Sequence, residues 1–266
     1  MDDTSLSPFR SIPLKGPYSI PLRSLYSKSF DNLVMAGRNI SVTHVALSTT
    51  RVMATCATLG QAIGTAVAYC VKHRITPANL ANTKERLRDY QQLLLRQDQA
   101  ILGVVNVDQQ DLARQAVVKA SSESTGFEAK KVIDGVNRDI QDGHSHQWRG
   151  DLRSGDAHIE LRWSAPRTIR TVELTFDTGL NRHLRLSGEN GTMKRQVRGP
   201  QPETICDYTL EYLLGEKVIK TEEVRDNFLR KIVHETESIR VDRIRLTAKK
   251  THGDPYARVF EIRCYA

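Results

Sequence analysis

Cysteine is scarce in this chain of 266 residues, which holds four, Cys56, Cys70, Cys206 and Cys264. None stands in a CxxC pair or another metal-ligand spacing, which argues against a zinc site and a redox dithiol. Cys56 and Cys70 lie on one predicted helix about 21 Å apart, so a disulfide between them is excluded if that helix forms. A pairing of Cys206 with Cys264 stays geometrically open.

Long uncharged runs are also rare, and the one that reaches about twenty residues is Val52–Val71. Gln61 is central in it, and its lipophilic residues fall on one face among Ala, Thr and Gly. This composition favours a helix buried in protein over a membrane span. The first ten residues, MDDTSLSPFR, are acidic and polar and do not resemble a signal peptide. We therefore expect a soluble chain with no membrane span; the cell compartment is not readable.

Aromatic residues make up only 6% of the chain, and no basic run is interleaved with them. The formal charge is +8, with about 12 Lys and Arg against about 6 Asp and Glu before residue 105 and a near balance afterwards. Because the charges are scattered, we expect no nucleic-acid partner. The excess of Lys and Arg before residue 105 would also suit the binding of a phosphorylated cofactor.

The first part of the chain follows a helical pattern around one apolar segment. Leu33–Ala36 is an apolar run bounded by Gly37, which predicts a short strand buried on both faces. A polar loop follows, and a long helix of small residues is predicted to begin near Arg51, capped by Ser48, Thr49 or Thr50. Thr76-Pro77 and then Lys84–Gln97 predict further helices, and this pattern ends near Gly103.

The period changes to that of strands after residue 104. Apolar and polar residues alternate in Ile159–Trp163, Val172–Phe176, Ile239–Asp242, Ile244–Leu246 and Val259–Arg263. Short alternating strands separated by turn residues are typical of an antiparallel β-sandwich. In residues 181–203, which we expect to form an exposed loop, Asn190-Gly191 is a hairpin signal. The prediction is an α+β chain of two domains, residues 1–104 and 105–266.

The segments IPLRSLY, VMAGRNIS and RVMATCATLGQAIGTA of the first domain carry a family resemblance. Over about residues 9–102 they resemble the C-terminal end of FAD-dependent oxidoreductases with a glutathione-reductase-like fold. The resemblance implies a partial FAD-binding α/β segment in which a strand end and a helix start lie against the flavin. The cofactor-binding residues it implies are Ala36, Gly37, Arg38, Met53, Ala54 and Thr55, with His44 as a candidate on the substrate side.

Elementary chemistry agrees with that placement. The free N–H groups at a helix N-terminus stabilise negative charge, which a reduced flavin carries at one edge. Gly37 has no side chain to hold a cofactor away, and Arg38 can pair with a phosphate or be an ordinary surface arginine. His44 can line the flavin or bond to backbone.

The sequence departs from that family, because it has no strand–GxGxxG–helix unit to cradle the FAD diphosphate and no substrate domain. We therefore expect a truncated form or the C-terminal piece of a split enzyme, inactive alone. Its implied partner is a separate N-terminal polypeptide that contains a Rossmann unit.

The second domain resembles the discoidin-type, galactose-binding-like sandwiches, in blocks that include SSESTGFEAKKVIDGVNRD, HQWRGD and the last strand. This resemblance implies a jelly-roll β-sandwich in which Trp148 and Trp163 are core anchors, a possible glycan ligand, and a structural calcium near Asp134 and Glu261. Turn capping by Asp134 and a solvated Glu261 are the alternatives. The second functional hypothesis is accordingly a carbohydrate- or protein-binding module without catalytic activity.

Overall fold

The computed structural model describes residues 16–139, 145–182 and 187–266. The helices are α1 (His44–Thr50), α2 (Met53–His73), α3 (Pro77–Asn82), α4 (Lys84–Arg96) and α5 (Asn190–Lys194). The strands are β1 (Val117–Ala120), β2 (Trp148–Asp151), β3 (Ala157–Phe176), β4 (Ile205–Leu214), β5 (Lys217–Val224), β6 (Lys231–Thr251) and β7 (Tyr256–Tyr265). Short 3-10 turns lie at Leu22–Leu25, Leu112–Gln115 and Ala129–Ile133. The α+β class is confirmed, and the predicted absence of a signal peptide falls on residues outside the described ranges.

The long helix α2 packs one stripe into a core and leaves the rest open. Its buried residues are Leu59, Ala62, Ile63, Ala66, Tyr69 and Cys70, which recur at helical spacing. Tyr90 of α4 donates a hydrogen bond to the carbonyl oxygen of Ala62 at 2.8 Å, and Leu80 of α3 is fully buried beside them. One third of the apolar window in α2 is buried, and in the described ranges no other helix has the length and composition to span a bilayer.

Two predictions in the first part are wrong. Leu33–Ala36 does not form a strand; Val34 makes a single bridge to Tyr26, and Leu33 is 44% exposed. A doubly buried strand needs neighbours on both sides, and in the described chain the segment of residues 25–27 pairs with it on one side. The predicted polar loop contains α1, whose N-cap is Thr43, so Ser48 to Thr50 lie inside that helix and do not cap α2.

The second part is an antiparallel sandwich built around two long strands. β3 and β6 pair along most of their length, with register shifts between Arg162 and Arg167 and between Ile169 and Thr171. The N-terminal half of β3 and the C-terminal half of β6 form one layer with β1, β4 and β5. The C-terminal half of β3 and the N-terminal half of β6 form a second layer with β7 and β2. The shifts let one strand cross from one layer to the other. The predicted jelly-roll architecture is confirmed.

The sandwich core follows the alternation predicted from the sequence. Trp148 and Trp163 are 0% and 3% exposed, so both rings are core anchors. All four cysteines are free thiols. The hairpin signal at Asn190-Gly191 is wrong, because those residues begin the short helix α5. The β4–β5 hairpin instead turns at Gly215, whose φ of +58° suits glycine.

Charged side chains join the helical part to the sandwich. Arg96 at the end of α4 lies 2.7 Å from Glu173 of β3, and Lys231 of β6 lies 2.9 Å from the same carboxylate. The Arg96 guanidinium also stacks on Tyr265, 3.9 Å from its ring centre. Because Glu173 is only 4% exposed, these pairs fix α4 against the sandwich.

Candidate functional site

The N-terminus of α2 is open. Its N-cap is Val52, which has no side-chain hydrogen-bond acceptor, whereas α1 and α3 begin at Thr43 and Thr76, whose hydroxyl oxygens accept from the first turn. The N–H groups of the first α2 turn therefore have no capping side chain. Met53 is 75% exposed, and Ala54 is exposed beside it. This helix end presents donors and a positive dipole end to whatever covers it.

The predicted turn at Gly37 forms with φ at +87°, a conformation that favours glycine. Ala36 before it is half-buried against the helical core, and Arg38 after it is exposed. His44 is the first residue of α1 and is exposed. These residues precede α2 in the chain, and they do not line the large cleft between the helices and the sandwich.

A cleft of about 1040 Å³ separates the helices from the sandwich, and we call it the junction cleft. Residues of α2, among them Ala54, Thr55 and Thr58, line its helical wall together with Pro17–Leu25. Of the predicted cofactor-binding residues, the structure brings Ala54 and Thr55 to this cleft. Ligand pockets typically measure about 300–1,000 Å³, so its size suits a small organic molecule.

Arginines dominate the sandwich wall of the junction cleft, and sequence reasoning missed them. Three have carboxylate partners: Arg230 with Asp98 at 2.7 Å, Arg258 with Asp254 at 2.6 Å, and Arg182 with Glu203. The only available sequence signal is weak, since these arginines occupy polar positions of strands and turns with no common motif. Their meeting depends on the tertiary fold.

Arg149 differs from those three. Its guanidinium lies 3.6 Å from the ring centre of Phe127, and its Nε is buried without a hydrogen-bond partner. No carboxylate of the described residues forms an ion pair with it. Burial, and then the neighbouring Arg258, lower the pKa of Arg149, but a guanidinium keeps its charge at neutral pH. Among the described residues the wall thus holds a cation with no carboxylate in salt-bridge contact, although Asp254 and Asp177 attract it from a greater distance.

The two predicted metal ligands, Asp134 and Glu261, each have another partner. Asp134 Oδ2 lies 2.8 Å from His146 Nδ1, and its other oxygen accepts from the N–H of Val136. Burial raises the pKa of Asp134 more than these bonds lower it. Turn capping by Asp134 is therefore present.

Glu261 is 2% exposed, so it is not solvated. Its Oε2 lies 2.8 Å from Arg263 Nε, in ion-pair contact without the alignment of a hydrogen bond. Burial raises the pKa of Glu261, although Arg263 opposes this. A guanidinium already faces this carboxylate, and the described side chains assemble no oxygen-rich shell around it. Calcium at Asp134 and Glu261 therefore stays a prediction.

Comparisons with known families match two separate segments of the chain. Residues 6–94 match the family model of FAD dependent oxidoreductases, which confirms the resemblance of the first part. Residues 111–182 match a domain of unknown function, DUF7402. A comparison with curated proteins finds no match.

Among solved structures, carbohydrate-binding modules are similar to the sandwich. A fucose binding module of Streptococcus pneumoniae is 9% identical, covers 59% of this chain and 97% of its own, and has a TM-score of 0.44. The family 32 CBM from Clostridium perfringens NanJ, in complex with galactose, is 18% identical and covers 58% and 96%, with a TM-score of 0.40. The lectin domain of lectinolysin, complexed with Lewis B antigen, is 12% identical and covers 60% and 98%, with a TM-score of 0.44.

Proposed function

We propose that the helical part forms one side of the FAD site of an oxidoreductase. In this proposal Met53, Ala54 and Thr55 at the α2 start lie against the polar edge of the flavin, and the turn at Gly37 and Arg38 lies against the phosphate or ribityl part. The observation that carries it is the family match over residues 6–94, which includes a helix whose N-terminus is uncapped and exposed. When bound, FAD supplies hydride-transfer chemistry, and the protein supplies orientation.

The donor set at the α2 start fits such a ligand. Unpaired N–H groups at a helix N-terminus stabilise negative charge, and Val52 has no side-chain oxygen to compete for them. Ala54 is small and exposed, so a flat ring can approach the backbone closely. His44, exposed at the start of α1, is the candidate for the substrate side.

The remainder of the site has to come from a dinucleotide-binding unit, which we propose is supplied by a separate Rossmann-containing polypeptide. Support comes from the open face of α2. A Cβ added at Gly60 or Gly64 would meet nothing within 4 Å, and Val67 and Val71 are 37% and 72% exposed. A helix face of small and apolar residues allows another backbone to pack closely. Without that partner we expect no tight flavin binding and no turnover.

The experiment is complementation followed by desalting. The full chain is mixed with FAD and with the N-terminal portion of a family member that lacks its own matching C-terminal segment, and retained flavin absorbance is measured. We expect flavin to be retained only in the mixture. Stoichiometric flavin on the chain alone would refute the need for a partner, and no retention in any mixture would refute the site.

A matched pair of variants tests the α2 start itself. Ala54→Glu places a carboxylate where the flavin edge is proposed to lie, and Ala54→Gln has nearly the same size without the charge. Acidic residues stabilise a helix N-terminus, so Ala54→Glu should keep or raise the melting temperature. We expect it to reduce flavin retention at least about tenfold more than Ala54→Gln, a difference of about 1.4 kcal/mol. Equal retention by both variants would place the flavin elsewhere.

The second candidate function is a carbohydrate- or protein-binding role for the sandwich. The observation that favours it is a pair of half-buried aromatic rings with arginines over them, Phe127 under Arg149 and Tyr256 at 5.1 Å from Arg153. Aromatic rings beside hydrogen-bond donors suit a sugar ring. A glycan array probed with the full chain tests this role, and loss of any signal in Tyr256→Ala is expected.

A further inference from the structure

The charged side chains that line the junction cleft around Arg149 are mostly positive. The junction cleft is lined by six arginines, while the acidic residues of its lining are Asp139 and Asp177. Both acids are engaged: Asp139 accepts from the backbone N–H of His146 at 3.0 Å, and Asp177 from that of Gly179 at 2.8 Å. Glu203, Asp98 and Asp254 pair with three of these arginines from outside the lining, so six arginines face five carboxylates in all and the surplus is one positive charge.

The geometry holds Arg149 ready for a partner. Trp148 and Gly150 on either side of it are buried, and a Cβ at Gly150 would lie 2.3 Å from the Trp148 ring, so β2 is fixed in position. The backbone N–H of Arg149 bonds to the Phe127 carbonyl oxygen at 3.2 Å, and its guanidinium stacks on the Phe127 ring. A guanidinium fixed on an aromatic face loses little conformational freedom on binding a planar anion.

The neighbours of Arg149 do not neutralise it. Arg258 beside it uses its own donors on Asp254 at 2.6 Å and approaches Asp177 at 3.6 Å. Arg138 also lines the cleft, and no salt bridge of the described residues includes it. A partly buried cation without a salt-bridge partner is costly, and an anion that enters the cleft relieves that cost.

We propose that the junction cleft binds a small anionic ligand whose carboxylate or phosphate group pairs with the Arg149 guanidinium. The site goes beyond the flavin proposal, because it depends on the sandwich wall and needs no Rossmann partner. Two sources have the required chemistry, an acidic sugar and a phosphorylated metabolite. On the opposite wall Ala54, Thr58 and Leu59 carry no charge and leave room for an apolar or sugar body, and Arg23 is the charged residue of that wall.

Calorimetric titration of the full chain at low ionic strength tests the proposal with three probes, which are digalacturonic acid, inorganic pyrophosphate and neutral galactobiose. We expect binding of digalacturonic acid or of pyrophosphate, and which of them binds identifies the source of the anion. Arg149→Gln should weaken that binding at least tenfold. Arg162→Gln, which removes an exposed arginine of β3 outside the cleft, should leave it unchanged.

Two further measurements keep the test independent of how well Arg149→Gln folds. Arg149→Lys keeps the charge but loses the planar guanidinium stacked on Phe127, so it should bind more weakly than the wild type and more tightly than Arg149→Gln. In the unmodified chain, raising the salt concentration tenfold should weaken binding, because screening reduces the attraction. The proposal is overturned if neither anion binds, if Arg149→Gln folds and binds equally well, or if galactobiose binds as tightly as the anion that binds better.

Discussion

Arg230 connects the helical part to the sandwich, and its replacement by methionine should destabilise the whole molecule. Its Nε donates to Asp98 at 2.7 Å, its Nη1 donates to the Phe176 carbonyl oxygen at 2.7 Å, and its Nη2 donates to that of Asn137. The guanidinium lies 5.0 Å from the ring centre of Phe260. The side chains of Arg230 and Asp98 are 12% and 17% exposed, so both charges are largely removed from water.

The magnitude follows from what the substitution leaves behind. Methionine keeps most of the apolar stem but supplies no donor, so Asp98 keeps a single bond, from Asn137 Nδ2 at 3.1 Å, and two carbonyl oxygens lose their partner. Removing one member of a buried ion pair costs about 3–5 kcal/mol. For a chain of this size each kcal/mol lowers the melting temperature by about 2–4 °C, so we expect a fall of roughly 6–20 °C.

Urea unfolding, followed by circular dichroism and tryptophan fluorescence, measures this loss. Arg240→Met removes an exposed arginine of β6 and should change the free energy of unfolding by no more than about 0.5 kcal/mol. A double-mutant cycle of Arg230→Met with Asp98→Asn should give a coupling energy of about 1–3 kcal/mol. A loss below about 1 kcal/mol for Arg230→Met, or additive effects in the cycle, would refute this account of the junction.

Three further predictions concern packing, backbone conformation and pH. Leu80→Ala should cost about 2–5 kcal/mol in urea unfolding, because Leu80 is fully buried in the helical core. Gly135→Ala should lower the melting temperature more than Gly155→Ala: both positions have positive φ, but only at Gly135 does a Cβ approach the Asn106 carbonyl oxygen, to 2.9 Å. Equal falls in melting temperature for the two variants would show that the backbone moves to relieve the contact with Asn106 at little cost. Burial raises the pKa of Glu222, but hydrogen bonds from a lysine and a histidine outweigh it and hold the pKa below the ordinary value. The resulting stabilisation is present above the ordinary carboxyl pKa and is lost as the pH falls through the lowered pKa of Glu222. In Glu222→Gln the melting temperature should therefore fall less steeply at acidic pH than in the wild type.

Local patterns explain which elements could be predicted. Leu87, Tyr90 and Leu94 recur at helical spacing in α4, and the alternation of Ile159–Trp163 recurs in β3, because these periods depend only on neighbouring residues. Leu33–Ala36 has the same apolar composition as a buried strand, yet in the described part of the chain only an isolated bridge from Tyr26 lies beside it. The apolar composition of this segment therefore did not predict its secondary structure.

The arginine wall could not be predicted for a different reason. Arg230 and Asp98 are 132 positions apart in the chain, and Arg149 meets Phe127 only because a 3-10 turn returns the chain to β2. Such contacts depend on tertiary packing, which a single sequence does not display. The predicted flavin residues came instead from motif resemblance, and of these Ala54 and Thr55 line the junction cleft.

The sandwich has a larger hydrophobic core than the helical part. Among the described residues the sandwich cluster holds 24 buried apolar side chains, whereas the helical cluster holds 11. A small core contributes little stability, so the helical part depends more on its junction with the sandwich, through Arg96, Asp98 and their partners. The same inequality explains why α2 keeps exposed apolar residues such as Met53 and Val71. A partner that covers α2 would therefore stabilise the helical part most, and the junction ion pairs would matter less in that complex than in the chain alone.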